Sequence, residues 1–254
     1  MTDVPESVWE LYPFLSRRRG GGGPGGGPDG GPFSGPDDGP FSRPDGTAAD
    51  AVAADATASA HAKIAEITAL RRTVVADGAR RMVACATALA ERFAAGGRLF
   101  AFGNGGSSTD AQGLATTFLH PPGRAPALPA LSLTSDAAVV TALSNDVGFE
   151  VVFARQLAAF GRRGDIAVGL STSGGSANVV RALEEAAGRG MVTVALAGHD
   201  GGRLAELPGL DHLFVMPSAS VHRIQEAQTT VYHVLWELTR QALAALRTRE
   251  GGAR

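Results

Sequence analysis

Residues 165–180, DIAVGLSTSGGSANVV, decide the fold of this chain. After Asp165, residues 166–170 are a short apolar run of the kind that forms a strand buried on both faces. A turn of small and hydroxyl-bearing residues follows from Ser171 to Ser176, and a helical pattern begins at Ala177. Parallel α/β sheets repeat this unit of buried strand, Gly/Ser turn and helix. The stretch therefore predicts an α/β fold.

The same alternation extends through the chain from Thr47 onward. Strands are predicted over residues 98–102, 128–133, 165–170, 192–196 and 212–215. Helices are predicted over residues 48–70, 73–94, 108–119, 136–143, 149–160, 177–190 and 220–246. Short strands separated by helix-length segments predict a parallel sheet with helices on both faces, preceded here by N-terminal helices. We assign residues 47–248 to one domain.

Residues 1–46 differ in composition from this domain. Between residues 17 and 46 the chain is almost entirely Gly, Pro, Asp, Ser and Arg. Such a segment cannot bury enough apolar surface to offset the entropy lost on ordering. An aromatic motif, VWELYPFL, precedes it at residues 8–15. We expect a disordered arm whose motif docks a protein partner, packs on the domain itself, or is simply an unstructured end.

Composition excludes several classes of function. A formal net charge of −2 and a pI near 6.3 provide no basic surface for nucleic acid. The single cysteine, Cys85, excludes an internal disulfide. No apolar run reaches the ~18–20 residues that span a bilayer, and the N-terminus lacks the basic and apolar regions of a secretory signal. We therefore expect a cytoplasmic protein that does not bind membranes.

Two Gly/Ser-rich turns follow predicted strands, GNGGSSTD at residues 103–110 and STSGGS at residues 171–176. Each turn opens a helix, where free backbone N–H groups and the helix dipole attract an anion. Open α/β sheets bind ligands beyond these strand ends. Four hydroxyl residues in the second turn suit a phosphate group. Neither turn matches the dinucleotide fingerprint or the P-loop, so we expect no nucleotide.

Five motifs occur in order along the chain. They are GNGGS at 103–107, SNDVGF at 144–149, GD at 164–165 leading into STSGGSANVV at 171–180, GHDGG at 198–202, and RIQE at 223–226. In this order and spacing, the chain resembles the phosphoheptose isomerase branch of the SIS (sugar isomerase) domain family over about residues 52–246. The resemblance implies a three-layer, doubly wound sheet of five parallel strands and a homotetramer with sites between subunits. It also implies a role in carbohydrate metabolism, the isomerisation of sedoheptulose 7-phosphate to heptose 7-phosphate in heptose biosynthesis.

The resemblance further implies which residues bind this phosphosugar, a carbohydrate derivative. Phosphate contacts fall to Ser171, Thr172, Ser173 and Ser176, and sugar contacts to Asn104, Gly105, Gly106, Asn145 and Asp146. The family's catalytic imidazole matches His233. It follows Gln225, a further substrate-binding candidate, by two turns plus about 80° of the last predicted helix, so both side chains can point to one region. No cofactor is required, and Gln225 with His233 is a thin ligand set for a divalent metal such as zinc.

One departure from the family leaves the function open. Members carry a His and, four residues later, a Glu on the helix after the first turn, where this chain has Gly113 and Thr117. Loss of an acid–base group commonly removes ~10²–10⁴ in rate. One hypothesis is an isomerase that recruits another base from Asp110, Asp146 or His120. The alternative is a catalytically silent protein that senses a sugar phosphate or regulates a protein partner.

Overall fold

The computed structural model describes residues 46–121 and 125–251, so the predicted arm up to residue 45 and its aromatic motif lie outside the described residues. The elements are α1 (Gly46–Ala94), β1 (Leu99–Gly103), α2 (Gly106–Leu119), β2 (Ala130–Ser132), α3 (Ala137–Asp146), a 3-10 helix (Phe149–Val151), α4 (Val152–Phe160), β3 (Ile166–Ser171), α5 (Ala177–Gly188), β4 (Val192–Gly198), α6 (Gly202–Ala205), β5 (His212–Met216) and α7 (Val221–Gly251). Within the described ranges, no helix combines the length and apolarity needed to cross a membrane.

The five strands form one parallel sheet in the order β2-β1-β3-β4-β5. β1 pairs with β3 over five residues, from Leu99 opposite Ile166 to Gly103 opposite Leu170. The chain leaves β1 for β2 on one side and builds β3, β4 and β5 on the other, so the strand order switches between β1 and β3. Ligands of doubly wound sheets bind at such a switch point, beyond the carboxyl ends of the strands. The predicted five-stranded parallel sheet is confirmed.

Two apolar cores cover the two faces of the sheet. One core contains side chains of α1, α2 and α7, including Phe118, and the other contains side chains of α4 and α5, including Phe153. Successive residues of β1 enter opposite cores, Leu99 the first and Phe100 the second, because side chains alternate along a strand. The predicted three layers are confirmed.

The structure differs from the sequence prediction in its helices. The two helices predicted over residues 48–70 and 73–94 are one continuous helix, α1, of 49 residues. Arg71 and Arg72 lie between the predicted segments, and arginine is a good helix former, so nothing there ends the helix. The segment over residues 149–160 begins with a 3-10 turn. No periodic pattern predicts α6, since its four residues are too few to show one. Strand ends shift by one or two residues.

A buried carboxylate ties the amino ends of β1 and β3 together. Asp165 accepts hydrogen bonds from the backbone N–H of Arg98 at 2.9 Å and of Arg162 at 3.0 Å, and it pairs with the Arg98 guanidinium at 2.7 Å. Burial by itself raises the pKa of Asp165, but these hydrogen bonds and the charge of Arg98 outweigh burial, so the pKa lies below the usual range. The GD motif thus fixes the alignment of the two strands that carry the Gly/Ser turns.

We expect Asp165→Asn to lower the free energy of unfolding by about 1–3 kcal/mol at neutral pH, because the charge-assisted hydrogen bonds of this buried carboxylate are weakened while Arg98 stays partly exposed. The folded pKa of Asp165 is depressed. Its contribution is therefore complete above the unfolded-chain pKa of about 3.9 and is lost as the pH falls through the folded value. Denaturant unfolding of both proteins from neutral to strongly acid pH measures the difference, which should shrink toward the acid end.

Glu150→Gln is the control for this substitution. Glu150 pairs with Arg181 where both side chains are at least half exposed, 61% and 50%, and such pairs contribute little to stability. If Asp165→Asn were as stable as the wild type at neutral pH, Asp165 would not be what holds the strand ends together.

Candidate active site

The two Gly/Ser turns lie side by side. They leave the adjacent strands β1 and β3 at the same edge of the sheet, because Gly103 and Leu170 are the last pair of their ladder. α2 begins at Gly106 and α5 at Ala177, so each turn leads directly into a helix. Two helix dipoles therefore direct their positive ends toward this edge.

The turn from Ser171 to Ser176 holds a cluster of hydroxyl groups. The Oγ of Ser171 lies 3.0 Å from the Oγ of Ser176 and 3.5 Å from that of Ser173, which in turn accepts a hydrogen bond from the N–H of Gly175 at 3.2 Å. Thr172 is half-buried beside them. Ser176 is the N-cap residue of α5, yet within the described residues its hydroxyl makes no capping bond. The first N–H groups of α5 therefore remain available to an external acceptor.

An amide pair joins the two turns. Asn104 and Asn178 exchange two hydrogen bonds, each 2.8 Å long, and Asn178 is buried. The pair satisfies polar groups that would otherwise be costly to bury. The sequence predicted a sugar contact for Asn104 but gave no role to Asn178. The available signal was an asparagine in the first turn of a helix, where its helix propensity is poor.

The turn between β4 and α6 supports the hydroxyl cluster from behind. Gly174 has a φ of 65°, in the left-handed region that favours glycine, and a Cβ on it would overlap the carbonyl oxygen of Gly201. The N–H of Leu204 donates to the carbonyl oxygen of Gly174 at 3.0 Å. The GHDGG motif therefore packs directly against the Ser171–Ser176 turn.

Gln225 reaches the first turn from α7. Its side-chain amide donates to Asp110 at 3.0 Å, and it lies so close to Gly106 that a Cβ there would overlap it. Burial raises the pKa of Asp110, an effect that the hydrogen bond from Gln225 opposes. Asp110 is therefore a stronger base than an ordinary aspartate, at the amino end of α2.

His233 lies two turns further along α7 and is exposed. Its Nδ1 is 2.8 Å from the carbonyl oxygen of Thr229. A carbonyl can only accept, so Nδ1 carries the proton and Nε2 is the acceptor in the neutral ring. The imidazole stacks on the ring of Tyr232, with 4.7 Å between the centroids.

Gly113 and Thr117 provide no base on α2. Thr117 donates its hydroxyl to the carbonyl oxygen of Gly113 at 2.9 Å, a bond within the helix. A Cβ on Gly113 would lie 3.0 Å from the hydroxyl oxygen of Tyr232, so this side of α2 faces α7. Gly113, one of the two positions at which the sequence departs from the family pattern, therefore lies at the contact between α2 and α7.

The structure does not join every predicted residue to the two turns. His120 is the C-cap of α2, about 15 Å along the helix from Asp110. Asn145 and Asp146 end α3, are exposed, and form a hydrogen bond with each other at 2.8 Å. Across residues 46–121 and 125–251, no hydrogen bond links either of them to the turns or to Gln225.

The donor set does not fit a divalent metal. Gln225 can offer its amide oxygen and His233 its Nε2, because only the amide nitrogen of Gln225 and Nδ1 of His233 are engaged, and these two residues supply two ligands at most. Within the part of the chain that the structure describes, no group of three or more His, Cys, Asp and Glu side chains comes together to hold an ion. Zinc sites use three or four protein ligands. We therefore assign no chemical step to a metal.

Comparison with known proteins identifies relatives of this chain. The model of the SIS domain matches residues 64–198. A phosphoheptose isomerase of Roseiflexus sp. (strain RS-1) is 44% identical over 180 residues, which are 70% of this chain and 90% of that protein. A phosphoheptose isomerase of Desulfovibrio desulfuricans is 45% identical over 175 residues, 67% of this chain and 80% of that protein.

Two solved structures of phosphoheptose isomerases are also similar. The structure from Neisseria gonorrhoeae has a TM-score of 0.67 at 36% identity and covers 71% of this chain and 96% of its own. The structure from Francisella tularensis has a TM-score of 0.64 at 32% identity and covers 72% and 98%. The chain therefore belongs to the SIS domain family, in the branch formed by the phosphoheptose isomerases.

Proposed function

We propose that this protein binds a seven-carbon sugar phosphate and interconverts its ketose and aldose forms, as in the conversion of sedoheptulose 7-phosphate to heptose 7-phosphate. The hydroxyl cluster at the start of α5 is the observation that carries the proposal. The proposal is also supported by the relatives that are phosphoheptose isomerases, which align with this chain over most of their own length. The phosphate-binding and proton-transfer parts of this activity rest on different residues.

Phosphate binding rests on the Ser171–Ser176 turn. The hydroxyl groups of Ser173 and Ser176 lie 3.5 and 3.0 Å from that of Ser171, so the turn supplies several donors to one group of oxygens. The amino end of α5 adds backbone N–H groups and the positive end of a helix dipole. Ser171 is buried, so its hydroxyl is fixed before any ligand arrives. These features suit the compact charge of a phosphate.

The sugar extends from this turn toward α2 and α7 in the proposed complex. Asn104 is held beside the phosphate turn by Asn178. Gly105 and Gly106 follow Asn104 and lead to the contact between Gln225 and Asp110. A ligand whose phosphate lies at Ser171–Ser176 would therefore present its other end to the residues that can move protons.

Isomerisation needs a base that removes a proton from the carbon next to the carbonyl and an acid that protonates the carbonyl oxygen. The resulting enediol then takes the first proton back on the former carbonyl carbon, while the hydroxyl on the neighbouring carbon gives its proton to the deprotonated acid and becomes the new carbonyl. We assign the base to Asp110, whose burial raises its pKa, and the acid to the imidazolium form of His233, which carries a second proton on Nε2 while Nδ1–H stays bonded to Thr229. Of the three bases that the sequence left open, Asp110 alone has a hydrogen bond to Gln225 in the described residues, whereas His120 is at the far end of α2 and Asp146 is exposed.

We also propose the homotetramer that the resemblance implies. Apolar side chains remain exposed around the edge strand β2, with Leu119, Leu131 and Phe160 between 38% and 53% exposed. Apolar groups gathered on one surface are typical of subunit contacts. The cytoplasmic location and a protein partner for the motif at residues 8–15 stay predictions from the sequence.

Replacing Ser173 and Ser176 together with Ala should weaken binding of sedoheptulose 7-phosphate by at least about tenfold, since hydrogen bonds to a charged group contribute about 1.5–3 kcal/mol each. The melting temperature should change little, because Ser173 is exposed and Ser176 half-buried. Calorimetric titration measures the affinity. Ser108→Ala, an exchange of a hydroxyl in the other turn, is the control. Unchanged affinity of the double variant would remove the phosphate site from this turn.

Asp110→Asn should reduce turnover of sedoheptulose 7-phosphate by about 10²–10⁴ while its affinity stays within a few-fold, because only the proton acceptor is lost. In the wild type the acid limb of the turnover profile should lie above that of an ordinary aspartate, since the pKa of Asp110 is raised. Glu184→Gln, which removes an exposed carboxylate of α5, is the control for loss of a carboxylate. A wild type that binds the sugar phosphate without isomerising it would instead support the silent sugar-phosphate sensor.

Light scattering should give four times the chain mass of 25.9 kDa. Introducing charges with Leu131→Glu and Phe160→Glu should lower the assembly size, because burying two carboxylates in an apolar contact is costly. Glu184→Gln, on the exposed side of α5, is the control. A wild-type monomer at micromolar concentration would contradict the proposal.

A further inference from the structure

Tyr232 occupies the space that a side chain at position 113 would need. A Cβ placed on Gly113 would lie 3.0 Å from the hydroxyl oxygen of Tyr232, closer than most real contacts of this kind. Gly113 is on α2 and Tyr232 on α7, so the glycine allows the phenol to reach across from one helix to the other. Tyr232 itself is 5% exposed.

Tyr232 also contacts the proposed acid and lies near the proposed base. Its ring stacks on the imidazole of His233 at 4.7 Å between centroids and an angle of 29° between planes. Burial raises the pKa of the Tyr232 phenol, Thr229 lowers it, and the Asp110 carboxylate raises it further, so the phenol keeps its proton near neutral pH. One side chain is therefore beside the acid and the gap at Gly113, and Gly113 lies about one turn of α2 from the base.

Helical spacing explains why these groups meet. Gly106, Asp110 and Gly113 recur at four and three residues on α2, and therefore lie along one side of that helix. Gln225 and Tyr232 are seven residues apart, two turns of α7, and face this side. Tyr232 is thus a second contact between the helices, two turns of α7 beyond the hydrogen bond of Gln225 with Asp110. A side chain that only filled the core would need no hydroxyl group, and it would not have to lie opposite Gly113.

We propose that Tyr232 is a positioning residue of the sugar-phosphate site, which fills the gap at Gly113, supports the imidazole of His233 and shields the carboxylate of Asp110 from water. The inference rests on the proposed function, because Asp110 and His233 are the base and acid assigned there. In this arrangement the contact between α2 and α7 sets the distance between the two proton-transfer groups.

Fluorine NMR tests this role without relying on turnover. The chain has two tyrosines, so full-length protein containing 3-fluorotyrosine gives two signals, and Tyr12→Phe identifies the signal of Tyr232. Saturation with sedoheptulose 7-phosphate should shift the Tyr232 signal, and the combined Ser173→Ala and Ser176→Ala protein should need more ligand for the same shift. A Tyr232 signal that stays in place while calorimetry records binding would overturn the inference.

Kinetics test the positioning itself. Tyr232→Phe should lower kcat by about tenfold or more with KM within about threefold, because misplacement of reacting groups affects the transition state more than ground-state binding. Trp236→Phe is the matched control. Trp236 is also 5% exposed, lies one turn further along α7, and has an indole N–H without a partner in the described residues. Its kcat should stay within about twofold of the wild type. Equal losses in the two variants would mean that Tyr232 acts only through packing.

A double-variant comparison tests the contact with Gly113. Gly113→Ala should lower kcat in the wild type, since the new Cβ displaces the hydroxyl of Tyr232, but should have little further effect in Tyr232→Phe, where that hydroxyl is absent. Effects that simply add would overturn the inference. Absence of turnover in the wild type would refute only the proposed isomerisation. The role of Tyr232 would then be decided by two other measurements. Melting temperatures of the wild type, the two single variants and the double variant show whether Tyr232 fills the gap at Gly113, and the fluorine shift shows whether it senses the ligand.

Discussion

The parallel pairing of β1 with β3 is the constraint on which the rest of this site depends. Five aligned residue pairs bring two turns to one edge of the sheet, although the strands are separated by more than sixty residues of chain. Asp165 holds the amino ends of the strands through Arg98, and the pair of Asn104 with Asn178 holds their carboxyl ends. A slip of one residue would exchange the two faces of β3 and its two cores. The phosphate turn is therefore positioned by hydrogen bonds that involve no ligand.

The proposed proton-transfer residues, Asp110 and His233, depend on a second constraint, which is the close packing of α2 on α7. Small residues on α2 let polar side chains of α7 reach it: Gly106 accommodates Gln225, and Gly113 accommodates Tyr232. This contact partly buries Asp110, and burial is what raises its pKa. On α2 the resemblance implied a His and a Glu where this chain has Gly113 and Thr117. The groups that remain beside the site come from both helices rather than from α2 alone.

These two constraints are largely independent, and this separation has a functional consequence. The phosphate turn is built from β3, α5 and the support of Gly201, none of which touches Gly113 or Thr117 in the hydrogen bonds of the described residues. Substitutions on α2 can therefore alter the chemistry while phosphate recognition is kept. The link between the two parts runs through Asn104 and the glycines that follow it, which belong to the first turn and begin α2.

The sequence by itself determined the alternation of strands and helices, the parallel sheet and the position of the Ser171–Ser176 turn, because each of these is a property of residues that are neighbours in the chain. Only the tertiary structure decided that α1 is continuous, that Asn178 fixes Asn104, and that Asp110 rather than His120 is next to Gln225. Asp110 and Gln225 are 115 residues apart, and Asn104 and Asn178 are 74 apart. Local pattern carries no information on such pairs, since their distance is set by how the helices pack on the finished sheet.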